Sequence, residues 1–225
     1  AAKQAMQNSW QQQRIPMLVG GTMMYFNALV NGISDLPSAD QQIRQKIYAL
    51  AKEKGWENMH AKLAQIDPTG AEKIKPGDSQ RIQRALEVFE LTGKPLSSFF
   101  AEKKAQEDVK YISFALMPEK RSELHDRIEQ RFLQMLDIGL IHEVEKLFAR
   151  PDLNLDCPAI RAVGYRQVWN YLSGQINYEL MVQQALAATR QLAKRQITWL
   201  RKWQNLTCFD LDTPEALDNI CKSMY

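Results

Sequence analysis

Five groups of residues have types and spacings that could do chemistry. The largest is basic. Residues 180–209 contain no Asp or Glu but carry Arg190, Lys194, Arg195, Arg201 and Lys202. On a helix, where each residue turns by about 100°, Arg190, Lys194 and Arg201 share one face. Leu192, Ala193, Trp199, Leu200 and Trp203 share the other. Such a helix would dock by its aromatic side and turn a basic stripe outward. Like charges repel, so the stripe makes most sense against a polyanion; a solvated surface face is the alternative. Gly20-Gly21-Thr22 follows a short apolar run and precedes a helix. Two glycines allow close approach to the backbone, and a Thr at a helix start aims N–H groups at a ligand. An ordinary strand-to-helix turn would look the same. Arg131 falls among Leu124, Ile128, Phe132 and Met135, so it is either a buried cation that needs an anionic partner or one that snorkels to water. Gln80 to Arg84 opens a helix behind Asp78 and Ser79, and Arg81 and Arg84 project from one side of it. They could meet phosphates and base edges, or pair with Glu87 and Glu90. Arg161 to Arg166 places Gly164 between two cations beside Tyr165, which could stack on a base or pack into the core. His60, His125 and His142 have no mutual spacing that suggests a metal site or proton relay.

Four segments, in order, resemble one family. They are LVGGTMMYFNALVNGISDLPSAD at 18–40, DSQRIQRALEVFELTGKPLS at 78–97, AIRAVGYRQVWNYLSG at 159–174 and TRQLAKRQITWLR at 189–201. The chain resembles the tRNA dimethylallyltransferase (tRNA isopentenyltransferase) family from residue 14 to about 203. The resemblance implies transfer of a dimethylallyl group from its diphosphate to the exocyclic amine of the adenosine 3′ of the tRNA anticodon, with Mg²⁺ helping to neutralise the diphosphate. It implies that Arg131, Gly20 and Gly21 serve the diphosphate, and that Thr22 lies at the reacting centre and meets the target nucleotide. The anticodon stem-loop would be held by Gln80, Arg81, Ile82, Gln83 and Arg84, and more weakly by Arg44. Arg161, Ala162, Val163, Gly164, Tyr165 and Arg166 would add contacts. So would Lys194, Arg195, Gln196, Ile197, Thr198, Trp199, Leu200 and Arg201 on the basic helix. The adenine would have to leave its stack to reach a buried donor.

One departure counts against activity. The family's Gly-rich phosphate loop, GxTxxGK[ST], and the Asp-Ser motif that follows it and supplies the general base are not found; the single Gly-Lys, Gly93-Lys94, is followed by Pro95. The chain opens on Ala1 within an expected helix at 2–12. The expectation is a fragment of a longer enzyme, inactive alone. A non-catalytic RNA-binding module and a P-loop kinase relative are the rival readings. The kinase would have no use for an acid-free basic helix.

The 225 residues are 45% hydrophobic, enough for one large domain or two small ones. The net charge is only +3, so the basic character is local: residues 160–203 carry seven cations against Glu179 alone. Cys157, Cys208 and Cys221 lack CxxC spacing, which argues against a disulfide framework or a zinc site. No apolar run is long enough to span a membrane and no signal peptide is visible. A cytoplasmic monomer is expected.

Helical periodicity dominates. Helices are expected over 23–31, 41–54, 57–65, 79–91, 120–137, 141–148, 166–172, 178–203 and 214–223, and strands over 16–19, 109–116 and 207–211. Strands alternating with helices predict an α/β fold with a P-loop-type parallel-sheet core, incomplete in this chain and mostly helical. Residues 1–34 and 109–225 would form that core. Residues 35–108, without a strand signal and broken by Gly55, Asp67-Pro68, Pro76-Gly77 and Gly93-Lys94-Pro95, would form an all-helical insertion domain.

Overall fold

The computed structural model describes residues 1–32, 34–101, 109–210 and 216–222. The first part is helical: α1 (Ala2–Gln11), α2 (Met23–Asn31), α3 (Gln41–Lys54), α4 (Trp56–Ile66), α5 (Pro68–Ala71), α6 (Ser79–Thr92) and α7 (Leu96–Ala101). Then come β1 (Ser113–Met117), α8 (Arg121–Asp137), α9 (Leu140–Phe148), α10 (Tyr165–Leu172), α11 (Tyr178–Leu200), β2 (Leu206–Asp210) and α12 (Ala216–Lys222). The fold is α/β, mostly helical with a small parallel sheet. Its contacts group Ala1–Pro16 with Met24–Val109, and Met17–Met23 with Lys110–Tyr225.

The first unit is built on α3, α4 and α6, which pack Ile47, Ala51, Met59, Leu63, Ile82, Ala85 and Leu86 into one core with Ala71 of α5. Polar side chains set the helix ends. Asp40 caps α3 by accepting from the backbone N–H groups of Gln42 and Ile43 at 2.8 and 3.0 Å. Of the two candidates at the start of α6, Asp78 is the cap, accepting from the N–H of Arg81 at 3.2 Å. Gly93 ends α6 with φ of +70°, a conformation that costs a β-carbon-bearing residue more. Periodicity missed α5 because it is a single turn, started by Pro68 and capped by the buried Asp67.

In the second unit α8, α9, α10 and α11 enclose Phe132, Leu140, Val144, Val168, Trp169, Met181 and Ala185, joined by Ile160 from the segment before α10. β1 and β2 pair in parallel, with Ser113 opposite Leu206 through to Met117 opposite Asp210. The expected strand at 109–116 starts later, at Ser113, and that at 207–211 is displaced by one residue. No strand forms at 16–19. Met17 and Val19 are 64% and 86% exposed. An apolar run becomes a strand only where a neighbour supplies ladder hydrogen bonds. Among the described residues the sheet consists of β1 and β2 alone.

Candidate functional site

The Gly20-Gly21-Thr22 turn leads into α2 and is exposed throughout. The Gly21 carbonyl accepts two hydrogen bonds, one from the N–H of Met23 at 3.1 Å and one from Nε2 of Gln196 on α11 at 2.8 Å. A β-carbon at Gly21 would stand 2.4 Å from that Nε2. Something does approach the glycine backbone closely, and it is the protein's own amide.

Around Gln196, Lys194, Arg195 and Arg201 point into solvent, while Ile197 and Leu200 are half-buried. The Thr198 hydroxyl donates to the Lys194 carbonyl at 2.8 Å within the helix. The expected aromatic anchor is only half right. Trp203 is partly buried and its Nε1 donates to Ser113 Oγ of β1 at 3.3 Å. Trp199 and Leu192, by contrast, are 43% and 40% exposed. Leu186 is the last residue of α11 packed against the core of the second unit. Nor is Arg190 part of a free stripe. Its Nη2 donates to Glu129 of α8 at 3.1 Å, so the acid missing from the local sequence arrives from another helix.

Arg131 is exposed on α8 and not buried within its apolar stripe. Leu124, Ile128, Phe132, Met135 and Leu136 face inward, with Phe132 fully buried. Arg131 lies about 60° of helical rotation from Ile128, on the side away from Phe132 and Leu136. That puts it at the edge of the stripe, with its guanidinium in solvent. In the segment before α10, Arg161 is tied to Asp156 at 3.1 Å and to the Leu155 carbonyl at 3.2 Å. Ala162 is exposed and Val163 half-buried. Gly164 is buried, has φ of +95° and donates its N–H to Gln167 Oε1 at 2.9 Å. Tyr165 packs against the core, and its hydroxyl donates to Glu143. That hydrogen bond, with some burial, holds the phenol above its ordinary pKa. Arg166 points outward.

In the first unit the basic residues are divided. Glu87, fully buried in α6, accepts from Arg44 Nε at 2.9 Å, from Arg84 Nη1 at 2.7 Å and from the N–H of Asp40 at 2.8 Å. Arg84 also donates to the Pro37 carbonyl at 2.6 Å, and Gln83 Nε2 donates to the Arg44 carbonyl at 3.1 Å. Ile82 has no exposure at all. Thus Arg44, Ile82, Gln83 and Arg84 build the helical unit, and the alternative of pairing with Glu87 is realised. Gln80 and Arg81 remain on the surface, beside a shallow recess lined by Lys75, Gly77, Asp78, Ser79 and Gln80. Glu87, in the sequence only an alternative pairing partner, is the buried anchor of this network. The signal was an acid between Leu86 and Val88, placed three residues after Arg84. Burial pushes the Glu87 carboxyl upward, but the bonds from Arg84, Arg44 and Asp40 outweigh it and hold the group below the usual carboxylate range.

Among the described residues no three His, Cys, Asp or Glu side chains are placed to hold a metal ion together.

The sequence model of the family described as IPP transferase matches residues 1–203. A tRNA dimethylallyltransferase of Coxiella burnetii (strain RSA 331 / Henzerling II) is 51% identical over 208 residues, covering 92% of this chain and 67% of that protein. Its counterpart in strain CbuG_Q212 is 52% identical, with 92% and 69% covered. Among solved structures, the full-length tRNA isopentenylpyrophosphate transferase of Bacillus halodurans superposes with a TM-score of 0.62 at 32% identity, over 97% of this chain and 68% of that one. The Staphylococcus epidermidis tRNA delta(2)-isopentenylpyrophosphate transferase, 24% identical, has the same TM-score over 99% and 73% and speaks to the fold. With its ordered motifs, its helical α/β fold and a family match over most of its length, the chain belongs to the IPP transferase family, whose members are prenyl-transferring enzymes.

Proposed function

We propose that this chain is part of an enzyme that transfers a dimethylallyl group from dimethylallyl diphosphate to the exocyclic amine of the adenosine 3′ of a tRNA anticodon. The observation that carries this reading is the identity of about one half, over nearly the whole chain, to proteins named tRNA dimethylallyltransferase. The geometry is compatible with it. A glycine turn ending in Thr22 is joined by a side-chain bond to a helix that turns Lys194, Arg195 and Arg201 into solvent.

On this reading the amine attacks the first carbon of the dimethylallyl group, the carbon–oxygen bond to diphosphate breaks, and the amine loses a proton to a base. Thr22 lies beside the acceptor amine. Arg131, exposed and permanently charged, neutralises the departing diphosphate near Gly20 and Gly21. Lys194, Arg195, Arg201 and Arg166 meet phosphates of the stem-loop, while Gln80 and Arg81 of the helical unit at 35–108 meet the anticodon loop. Mg²⁺ would travel with the diphosphate. No GK[ST] loop occurs in these 225 residues, and their one Asp-Ser pair, Asp78-Ser79, starts α6 of the helical unit and does not follow such a loop, so catalysis is assigned to the longer protein and the 225 residues alone are expected not to turn over. The test incubates the full-length protein with dimethylallyl diphosphate, Mg²⁺ and an unmodified anticodon stem-loop. Mass spectrometry should find prenylated adenosine at that one position. No product, with RNA still bound, would favour a non-catalytic binding module.

A further inference from the structure

Gln196 lies in the middle of the basic stretch, flanked by Arg195 and two residues from Thr198, yet its side chain does not point outward with the cations. Its Nε2 reaches 175 residues back along the chain and donates to the Gly21 carbonyl at 2.8 Å. The contact depends on both partners. Gly21 has no β-carbon, and one placed there would stand 2.4 Å from Nε2 and 3.4 Å from the Gln196 carboxamide carbon. The φ of Gly21 is not among the positive ones, so its backbone does not demand glycine. The demand comes from the amide that sits against it. The same carbonyl also accepts from the N–H of Met23, the first residue of α2. Both its lone pairs are therefore used, which fixes the turn that leads from residues 16–19 into α2.

We infer that Gln196 is a positioning residue. Its amide straps the Gly20-Gly21-Thr22 turn to the basic helix, so that the Thr22 side chain is held at a set place relative to Lys194, Arg195 and Arg201. Its consequence for turnover rests on the reading above, in which Thr22 lies at the acceptor amine and α11 grips RNA. Positioning of a reacting group is worth rate, because small displacements from the productive geometry are costly. The strap gives a specific reason why an uncharged Gln interrupts a cationic run: a Lys or Arg there could donate to Gly21 too, but would bring a charge to the turn.

The test uses the full-length protein and two readouts. The first is hydrogen exchange at the Met23 amide, which needs no substrate. Gln196→Ala, and Gln196→Glu with equal length but no N–H, should each speed it by about fivefold, the loss of one net hydrogen bond. Gly21→Ala should do the same, because its methyl displaces the amide. The double variant Gly21→Ala/Gln196→Ala should be no worse than either single, since removing the Gln makes room for the methyl. The second readout is prenyl transfer. Each single variant should lower kcat by about tenfold or more while stem-loop affinity stays within about twofold. Unchanged exchange, or additive effects in the double variant, would overturn the strap whatever the enzyme does. Affinity for RNA falling in step with kcat would also overturn it and make Gln196 an RNA contact. A wild-type protein that makes no prenylated adenosine sinks the proposed function instead and leaves the exchange result to decide the strap.

Discussion

At Glu87, a side chain with no solvent exposure, donors converge from Arg44, from Arg84 and from the backbone of Asp40. A buried carboxylate is tolerated only with such satisfaction, and breaking one partner of a buried pair is costly. Glu87→Gln should therefore destabilise the helical unit by about 3 kcal/mol, read as a lower urea midpoint at unchanged slope. Arg44→Ala and Arg84→Ala should each cost less, because one guanidinium remains and both are partly exposed. A loss below about 0.5 kcal/mol for Glu87→Gln would show that the network does not anchor α6 to α3. Arg131 is the opposite case. It is exposed, so Arg131→Ala should leave stability nearly unchanged. In the full-length protein it should raise the transition-state barrier by about 2 to 4 kcal/mol through a lost charge-assisted contact to diphosphate. If tRNA affinity fell as far as kcat/KM, Arg131 would be serving RNA instead.

One element, α11, combines two structural regimes. Its N-terminal turns begin at the Asn177 cap, whose side chain accepts from the N–H of Leu180 at 2.9 Å, and bury Met181 and Ala185 completely. Its C-terminal turns carry exposed cations and an exposed Trp199. Cations of similar sequence context should behave differently in consequence. Replacing Lys194, Arg195 and Arg201 together with Gln should flatten the plot of log RNA affinity against log salt by about two units, with little change in loop sequence preference. Arg190→Gln should leave that slope alone, since Glu129 already neutralises the charge, and should cost less than about 1 kcal/mol of stability. An unaltered slope in the triple variant would reduce the stripe to a solvated face.

On the scale of the molecule, the buried acids among the described residues, Asp67 and Glu87, belong to the helical unit. Asp67 resembles Glu87: burial pushes its carboxyl up, but the Ser97 hydroxyl, the N–H groups of Ser97 and Gly70 and the charge of Lys73 bring it below its ordinary value. A carboxyl lowered on folding adds stability that is fully present above its unfolded pKa of about 4 and is lost as pH falls through the folded value. Stability of this unit should be flat from neutral pH to about 5 and fall below about 4, and Glu87→Gln should make that fall shallower. Circular dichroism melts across that range would check it; an identical acid profile in the variant would count against the assignment. By itself the sequence determined what is local. Apolar periods set most helices to within a residue or two, Asp78 and Ser79 marked the start of α6, and the ordered motifs carried the family. The parallel pair was legible too, because β1 and β2 are short apolar runs flanking a long helical span. Tertiary structure alone decided which polar side chains are free and which are tied. Arg190 meets Glu129 across 61 residues, Arg44 meets Glu87 across 43, and Gln196 meets Gly21 across 175. It also decided that Trp199 is exposed and that 16–19 is not a strand. Periodicity reports which side of an element is apolar. Whether a neighbour arrives to cover that side, or to pair with a charge on the other, depends on contacts between residues far apart in the chain, and those carry no local signal.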